Sequence, residues 1–293
     1  MLTYDHPLFR PPSEARSLIF QITIGCSRNL CAFCGMYKGK KFRVRTTREV
    51  IAEIDSIPEP LRAGVDRIFL ADGDALVYPY AGLLEIIDHL SASFPSLNRI
   101  GAYASPQSLA TKSQEELLAL RGKKLRILYF GLESGDDETL RAVNKGFTAA
   151  GMEREALKAR DARIKLSVTA ILGLAGRDRS LHHARATAEW VNRVNPEFFS
   201  LLTIFHRHNE NFVKRLKQCN RRELLFEARE LVTHMHPHKT ILRSNHVSNF
   251  LLLSGSYPKD RERLIANVDT AISRARSVPG YLDGMSEYAE EYY

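Results

Sequence analysis

The sequence lacks the features that mark membrane and secreted proteins. It has no apolar run close to the roughly 20 residues that a membrane-spanning helix needs. Its start does not combine basic residues with an apolar stretch, so no signal peptide is expected. Only 4 cysteines occur in 293 residues. Three of them are clustered, which suits a reducing compartment, so we expect a cytoplasmic protein without a membrane partner.

The bulk composition excludes little else. Hydrophobic residues make up 44% of the chain, as in an ordinary globular protein. The formal net charge of +8 permits RNA or another phosphate-bearing partner. Lysine and arginine are nevertheless spread along the chain, and the densest basic stretch is 38–45. That stretch is predicted to be either a solvated loop or a binding site for a phosphate or carboxylate group.

The strongest motif is a trio of cysteines. Cys26, Cys31 and Cys34 have the spacing C-x4-C-x2-C and follow a predicted buried strand at 17–24. Three thiolates on one loop can hold three corners of a cubane iron–sulfur cluster. The only other cysteine, Cys219, lies far away in the sequence. One iron would then keep an open position, which marks a metal site that binds a ligand or performs chemistry.

Zinc and inert thiols are the alternatives for these cysteines. A structural zinc site uses four ligands with paired spacing, and no second pair stands nearby in the sequence. A disulfide fits poorly, because the cluster has an odd number of cysteines and the chain shows no secretory signal. We therefore predict an iron–sulfur cluster.

The loop resembles the cluster loop of the radical S-adenosylmethionine (SAM) superfamily, in which SAM chelates the fourth iron. The commonest spacing there is C-x3-C-x2-C, so this loop has one extra residue, while Phe33 fits the usual aromatic position. The resemblance implies a [4Fe–4S] cluster, SAM and an electron donor such as flavodoxin or ferredoxin. It implies an enzyme that reductively cleaves SAM to a 5′-deoxyadenosyl radical, which abstracts hydrogen from a substrate that the sequence does not identify.

Strand and helix patterns alternate six times between residues 17 and 205. The predicted elements include a helix that opens with a capping box at 46–49, a buried strand over 67–71, a helix over 180–194 and, beyond the alternation, a charged helix over 210–234. Such alternation predicts an α/β fold with a parallel sheet and right-handed crossovers. Six units are too few for an eight-stranded barrel, so we predict a (β/α)6 partial TIM-type barrel, which is similar to the radical SAM core. Residues 1–16 are predicted to form an extended arm, because prolines interrupt them. Residues 206–293 are predicted to form an α-rich extension that caps the barrel and ends in a loose acidic tail.

Ligands of α/β proteins bind at the carboxyl ends of parallel strands. The second strand is followed by Asp72, Gly73 and Asp74, which resemble the family's Gly-Gly-Glu motif that holds the SAM ammonium group. Asp72 replaces the first glycine and Asp74 the glutamate. An ordinary Asp-Gly turn is the alternative. Ser105, after the third strand, is expected to contact the ribose or substrate, or else to cap a helix.

The fourth strand ends in the sequence Gly-Leu-Glu-Ser-Gly at 131–135. This run resembles a motif shared by oxygen-independent coproporphyrinogen III oxidases, methylthiotransferases and the catalytic subunit of Elongator. A glutamate buried at a strand tip is costly unless it is paired. We therefore predict that Glu133 contacts SAM, with Ser134 beside it and Arg141 supporting it from the next helix. A salt bridge within the core is the alternative.

Further residues are predicted from the fifth strand onwards. Lys165 and Ser167 are expected to face the SAM carboxylate, and Leu174 is expected near the adenine. Ordinary packing of these residues is the alternative. The polar run at 243–250 either lines the substrate end of the barrel or forms a structural turn. Two other functions stay open: a cluster carrier or electron-transfer protein without SAM chemistry, and an RNA-modifying protein.

Overall fold

The computed structural model describes residues 2–204 and 210–282. The strands in these ranges are β1 (Leu18–Gln21), β2 (Thr23–Ile24), β3 (Arg43–Val44), β4 (Arg67–Ala71), β5 (Arg99–Ala104), β6 (Leu125–Glu133), β7 (Lys165–Leu172), β8 (Phe198–Thr203), β9 (Ile241–Arg243) and β10 (Ser254–Ser256). The α-helices are α1 (Thr47–Asp55), α2 (Glu59–Arg62), α3 (Tyr80–Ser93), α4 (Pro106–Ala110), α5 (Gln114–Gly122), α6 (Asp137–Ala142), α7 (Ala149–Asp161), α8 (Ser180–Val194), α9 (Glu210–Val213), α10 (Arg221–His234) and α11 (Arg261–Ser277).

The main sheet confirms the predicted α/β class. Its eight strands have the order β1-β4-β5-β6-β7-β8-β9-β10. The pairs β1–β4, β4–β5, β5–β6, β7–β8 and β8–β9 are parallel, whereas β10 is antiparallel to β9. The predicted strand at 17–24 divides, because its last residues form β2, which pairs with β3 in a separate two-stranded sheet.

The chain divides into two compact units. Unit 1 comprises Met1–Leu30, Cys34–Phe130 and Arg154–Leu166, and unit 2 comprises Cys31–Phe33, Gly131–Glu153 and Ser167–Tyr293. Each unit therefore contains segments that are distant in the sequence. The domain boundary at residue 205 stays a prediction.

In unit 1, the N-terminal arm reaches the interior of the unit. The arm carries a single 3₁₀ turn, Pro12–Glu14, and the Glu14 side chain is fully buried. Its carboxylate accepts hydrogen bonds from the Tyr129 hydroxyl, the Ser17 hydroxyl and, at 2.7 Å, the Arg99 guanidinium. Because a buried carboxylate is costly without such donors, the three bonds explain how Glu14 is tolerated there.

In unit 2, the C-terminal segment departs from the α-rich extension that the sequence predicts. It contributes β9 and β10, and β9 continues the parallel sheet beside β8. The helix predicted over 210–234 divides into α9 and α10. Most of the predicted acidic tail, residues 283–293, lies outside the described residues. Among the described helices, none combines the length and the apolar character that crossing a bilayer requires.

We predict that Thr46→Ala lowers the free energy of unfolding by about 1 kcal/mol. Thr46 caps α1: its hydroxyl accepts a bond from the Glu49 amide at 3.2 Å, and the Glu49 carboxylate accepts one from the Thr46 amide at 2.6 Å. This capping box matches the one expected from the sequence. Urea denaturation of Thr46→Ala against Thr46→Ser, which keeps the hydroxyl, measures the effect. Equal midpoints for the two variants would show that the cap does not stabilise the helix.

Candidate functional site

Asp74 links the cysteine loop to two strand ends in unit 1. The side chain is fully buried after β4. Its carboxylate accepts bonds from the Ser27 hydroxyl, from the Ser105 amide at 3.1 Å and from the Ser105 hydroxyl at 2.7 Å. Burial raises the pKa of Asp74, while the serine hydrogen bonds act in the opposite direction. Ser27 directly follows Cys26, so Asp74 fixes the start of the loop.

Asp72 holds the base of the same loop from two sides. One of its oxygens, Oδ2, accepts bonds from the Gly25 amide at 3.1 Å, the Lys40 ammonium at 3.0 Å and the Gln21 amide group at 3.3 Å. The Asp72 side chain is fully buried and that of Lys40 is only 5% exposed. Asp72 therefore already neutralises an ammonium group of its own chain.

Gly73 lies between the two aspartates because a larger residue would not fit. A Cβ at this position would stand 2.7 Å from the Tyr37 ring and 3.0 Å from the Cys26 Cβ. The Gly73 amide also donates to the Gly25 carbonyl at 3.1 Å. The glycine thus lets the cysteine loop approach the end of β4 closely.

Side chains of the cysteine loop and of the residues after it donate further hydrogen bonds to the loop backbone. The Asn29 side chain donates to the Tyr37 carbonyl at 2.7 Å, and Lys38 donates to the Asn29 carbonyl at 2.8 Å. All four cysteines are thiols, and the three in the loop are partly exposed. In the described chain, no three His, Cys, Asp or Glu side chains are grouped to hold a single metal ion. A cubane cluster does not require that grouping, because each thiolate binds a different iron. The donor set of three accessible thiols on one loop therefore fits such a cluster.

Residues 31–33 of the loop belong to unit 2, where they contact other residues of that unit. The Ala32 amide donates to the Val143 carbonyl at 2.9 Å. Phe33 packs against a buried apolar cluster formed by Val143, Ile171 and Leu174. Phe33 and Leu174, which were predicted separately from the loop and from the fifth strand, thus belong to the same apolar cluster.

Glu133, at the end of β6, has the strained backbone that often accompanies a functional residue. Its φ is +66°, a left-handed value that is uncommon for a residue other than glycine. The carboxylate forms an ion pair with Lys145 at 3.0 Å, and the side chain is 12% exposed. The sequence-based prediction that Arg141 supports Glu133 is corrected: Lys145 makes the contact, and Arg141 is exposed.

Ser134 is part of a buried network in unit 2 that the sequence reasoning missed. Its hydroxyl forms a 2.7 Å hydrogen bond with Nδ1 of His183 and accepts one from the Asp136 amide at 2.9 Å. Nε2 of His183 lies 3.5 Å from Glu227. Glu227 accepts bonds from the Gly173 amide at 2.8 Å and from the Ser180 hydroxyl. Ser134 therefore has internal hydrogen-bond partners, and its contact with the cofactor stays a prediction.

The same network restrains the helices that follow the motif at 131–135. Asp136 caps α6 and pairs with Arg179 at 2.9 Å. Burial alone would raise the pKa of Asp136, but the bonds from Arg179 and Thr139 lower it to about 2. At Gly135, a Cβ would collide with the Ala186 carbonyl of α8. The motif residues after Glu133 thus pack a helix against the strand end.

Lys165 and Ser167 lie at the wrong end of β7 for the predicted role. Lys165 is the first residue of the strand and is exposed, and Ser167 is level with Phe198, the first residue of β8. At 3.3 Å per residue, Lys165 is about 23 Å from the carboxyl end of its strand. We therefore correct this prediction and remove both residues from the candidate site.

Ser105 and the run at 243–250 both have structural roles. Ser105 is the N-cap of α4, with a capping box to Ser108. In the polar run, Asn249 donates to the Leu201 carbonyl at 2.6 Å and accepts a bond from the Thr203 hydroxyl at 2.8 Å. These bonds tie the run to the end of β8, as expected for the structural-turn alternative.

The structure is thus an α/β protein with a loop of three free cysteines that directly follows β2. The sequence profile of the radical SAM superfamily matches residues 20–191. The chain belongs to this superfamily, whose enzymes use a [4Fe–4S] cluster, SAM and a reductant.

Curated relatives resemble only part of the chain. The tRNA-2-methylthio-N(6)-dimethylallyladenosine synthase of Coxiella burnetii (strain Dugway 5J108-111) is 29% identical over 178 residues, which is 57% of this chain and 39% of that protein. A protein of Methanocaldococcus jannaschii with a provisional methylthiotransferase name is 28% identical over 153 residues, which is 49% of this chain and 32% of that protein. The chain thus matches less than half the length of these relatives.

Solved structures support the fold. Coproporphyrinogen III oxidase from Escherichia coli aligns with a TM-score of 0.57 at 18% identity, over 74% of this chain and 50% of the oxidase chain. Methylornithine synthase aligns with a TM-score of 0.54 at 15% identity, over 86% of this chain and 68% of that chain. At these identities the likeness establishes the fold alone.

The buried Glu227 generates a prediction about stability and pH. Burial raises the pKa of Glu227 from 4.5 to about 7. The folded state therefore favours the neutral carboxyl, and its stabilising effect is complete below pH 4.5 and is lost as the pH rises through 7. Because glutamine cannot ionise, the melting temperature of Glu227→Gln relative to that of the unmodified chain should rise as the pH increases from about 4.5 to about 7, and the difference should stay constant above pH 7.

Differential scanning calorimetry across this range tests the effect of Glu227→Gln. Glu189→Gln, on the exposed face of α8, is the matched control and should show a difference that does not vary with pH. A difference that is equally flat for Glu227→Gln would contradict the raised pKa.

Proposed function

We propose that Cys26, Cys31 and Cys34 hold the [4Fe–4S] cluster and that the enzyme uses SAM to abstract hydrogen from a substrate. The observation that carries the proposal is the trio of accessible thiols on a loop whose base is bonded to the end of β4. The bound cluster and SAM would supply an electron and a 5′-deoxyadenosyl radical. The chain would supply the position of the loop and of the groups around SAM.

Among the carboxylates at the strand ends, Glu133 is the best proposed contact for SAM. Oδ2 of Asp72 already accepts from three donors, one of them the Lys40 ammonium, so its charge is compensated within the chain, while its Oδ1 has no hydrogen-bond partner among the described residues. Asp74 also accepts several bonds. Glu133 is bonded to Lys145 through one oxygen and is held in a strained conformation at the tip of its strand. Such strain persists where the surrounding structure enforces it, and it is frequent at ligand sites.

The remaining proposed contacts follow from position. Gly73 and Asp74 are proposed to lie beside SAM, because Gly73 brings the backbone after β4 close to Cys26 and Asp74 is the next residue. Phe33 and Leu174 share one apolar cluster, which suits the face of an adenine ring. We also retain residues 17–205 as the proposed catalytic core, with 206–293 as the part that would cap it.

Methylthio transfer to tRNA is a second candidate. Its support is the 29% identity to a tRNA-2-methylthio-N(6)-dimethylallyladenosine synthase over 57% of this chain. The net charge of +8 is compatible with RNA as a substrate. This candidate predicts that tRNA binds with an affinity that falls steeply with salt, because bound phosphates release counterions. Binding of tRNA that does not depend on salt would contradict this prediction and argue against tRNA as the substrate.

The central prediction concerns the cysteines. After anaerobic reconstitution, the unmodified chain with dithionite and SAM should release 5′-deoxyadenosine, and alanine at Cys26, Cys31 or Cys34 should abolish that release. Cys219→Ser is the matched control and should keep it, since Cys219 lies beside Glu227 in unit 2. The product is measured by liquid chromatography and mass spectrometry.

Two results would contradict parts of the proposed function. A loaded cluster without 5′-deoxyadenosine from the unmodified chain would favour a cluster carrier or electron-transfer protein. Release that survives loss of a loop cysteine would show that the cluster has other ligands.

A second prediction concerns Glu133. Glu133→Gln should weaken SAM binding by about ten- to a hundredfold, as expected when a charged hydrogen-bond partner is lost. The change leaves the iron content unaltered, because Glu133 is not a proposed cluster ligand. Equilibrium dialysis of SAM against the reconstituted protein gives the affinity, and an unchanged affinity would exclude Glu133 as a contact.

A further inference from the structure

Both ends of the cysteine loop are attached to one buried carboxylate. Gly25 immediately precedes Cys26, and Lys40 stands six residues after Cys34. Oδ2 of Asp72 accepts the Gly25 amide at 3.1 Å and the Lys40 ammonium at 3.0 Å. The segment from 25 to 40 is therefore closed at its base by a single side chain that follows β4.

Breaking the Lys40–Asp72 ion pair would strongly destabilise the folded state. The Asp72 side chain is fully buried and the Lys40 side chain is 5% exposed. Removing one member of a buried ion pair leaves an uncompensated charge in a medium of low polarity. The two ends of the loop are therefore held together by the fold itself.

The N-terminal arm is attached at the same point. Lys40 donates to the Asp5 carbonyl at 2.5 Å and lies 3.1 Å from the Asp5 carboxylate. Asp5 and Gln21 exchange two further bonds, at 2.8 and 2.9 Å. Phe9 of the arm packs edge-on against the Tyr37 ring, with centroids 5.5 Å apart. Lys40 thus connects the arm, the loop and the strand end.

We propose that Lys40 and Asp72 are positioning residues that hold the cysteine loop in its cluster-binding form. Asp5 joins the N-terminal arm to this ion pair. The inference rests on the proposed role of the loop as the cluster site. It assigns Asp72, which stands where the resembling motif has glycine, to the loop and not to SAM. It also assigns Lys40 to an internal ion pair and not to an anion-binding site on the surface.

The first test compares Lys40→Met with Lys41→Met in the full chain. Lys41 is the exposed neighbour of Lys40 and serves as the matched control. In the protein without cluster, Lys40→Met should increase hydrogen exchange of the loop amides by at least about tenfold. After reconstitution it should retain less iron and sulfide per chain, and the reduced cluster with SAM should give a broadened electron paramagnetic resonance spectrum. Lys41→Met should match the unmodified chain in all three measurements.

The double variant Lys40→Met with Asp72→Asn separates positioning from stability. It removes the unpaired buried charge, so the melting temperature should recover relative to Lys40→Met. It does not restore the connection between Lys40 and the strand end, so the fast loop exchange and the altered spectrum should persist. The double variant also keeps the test decisive if Lys40→Met alone does not fold.

The conservative variant Lys40→Arg should restore much of the iron content, because it keeps a cation opposite Asp72. Asp5→Asn removes only the charge of the arm and should give an intermediate rate of loop exchange.

Two outcomes overturn the proposal. One is a Lys40→Met protein whose loop exchange, iron content and spectrum equal those of Lys41→Met. The other is a double variant in which the loop and spectrum recover together with stability, since the pair would then be merely structural. Failure of the proposed function is distinguishable, because it would appear in the unmodified chain as the absence of a cluster or of 5′-deoxyadenosine.

Discussion

Two fully buried aspartates at the end of β4 are the constraint on which the cysteine loop depends. Asp72 binds the residues at the base of the loop, and Asp74 binds Ser27, which directly follows Cys26. Gly73 between them leaves room for Cys26 and Tyr37. A buried carboxylate without hydrogen-bond donors destabilises the folded state by several kcal/mol. Here the donors come from the segment 25–40, from Gln21 of β1 and from Ser105 after β5, so satisfying the aspartates also shapes the loop.

The local part of the structure could be predicted from the sequence because it depends on neighbouring residues. The capping box at Thr46 and Glu49 predicted the start of α1, and apolar periodicity predicted β4 and α8 with the bounds that they have. The family was predicted from the cysteine spacing and the motif at 131–135, and the match to the superfamily profile confirmed it. These signals are carried by residues within a few positions of one another.

What sequence reasoning missed depends on contacts across long separations. Lys40 and Asp72 are 32 residues apart, and Ser134 and His183 are 49 apart. No local pattern shows which basic residue will pair with which acid. The basic stretch at 38–45 illustrates this, because Lys40 pairs with Asp72, and Arg43 and Arg45 pair with carboxylates on α1. Much of its apparent surface charge is therefore neutralised inside the chain.

The motif at 131–135 shows how one run of residues can divide between structure and chemistry. Ser134 is buried against His183, and Gly135 fits only because it lacks a side chain beside Ala186. Those constraints fix the chain on the C-terminal side of Glu133, while β6 fixes it on the other side. The left-handed conformation of Glu133 is then a consequence of how its neighbours are held. The backbone of Glu133 is therefore held in place, and such rigidity would lower the entropy cost of binding a ligand at its carboxylate.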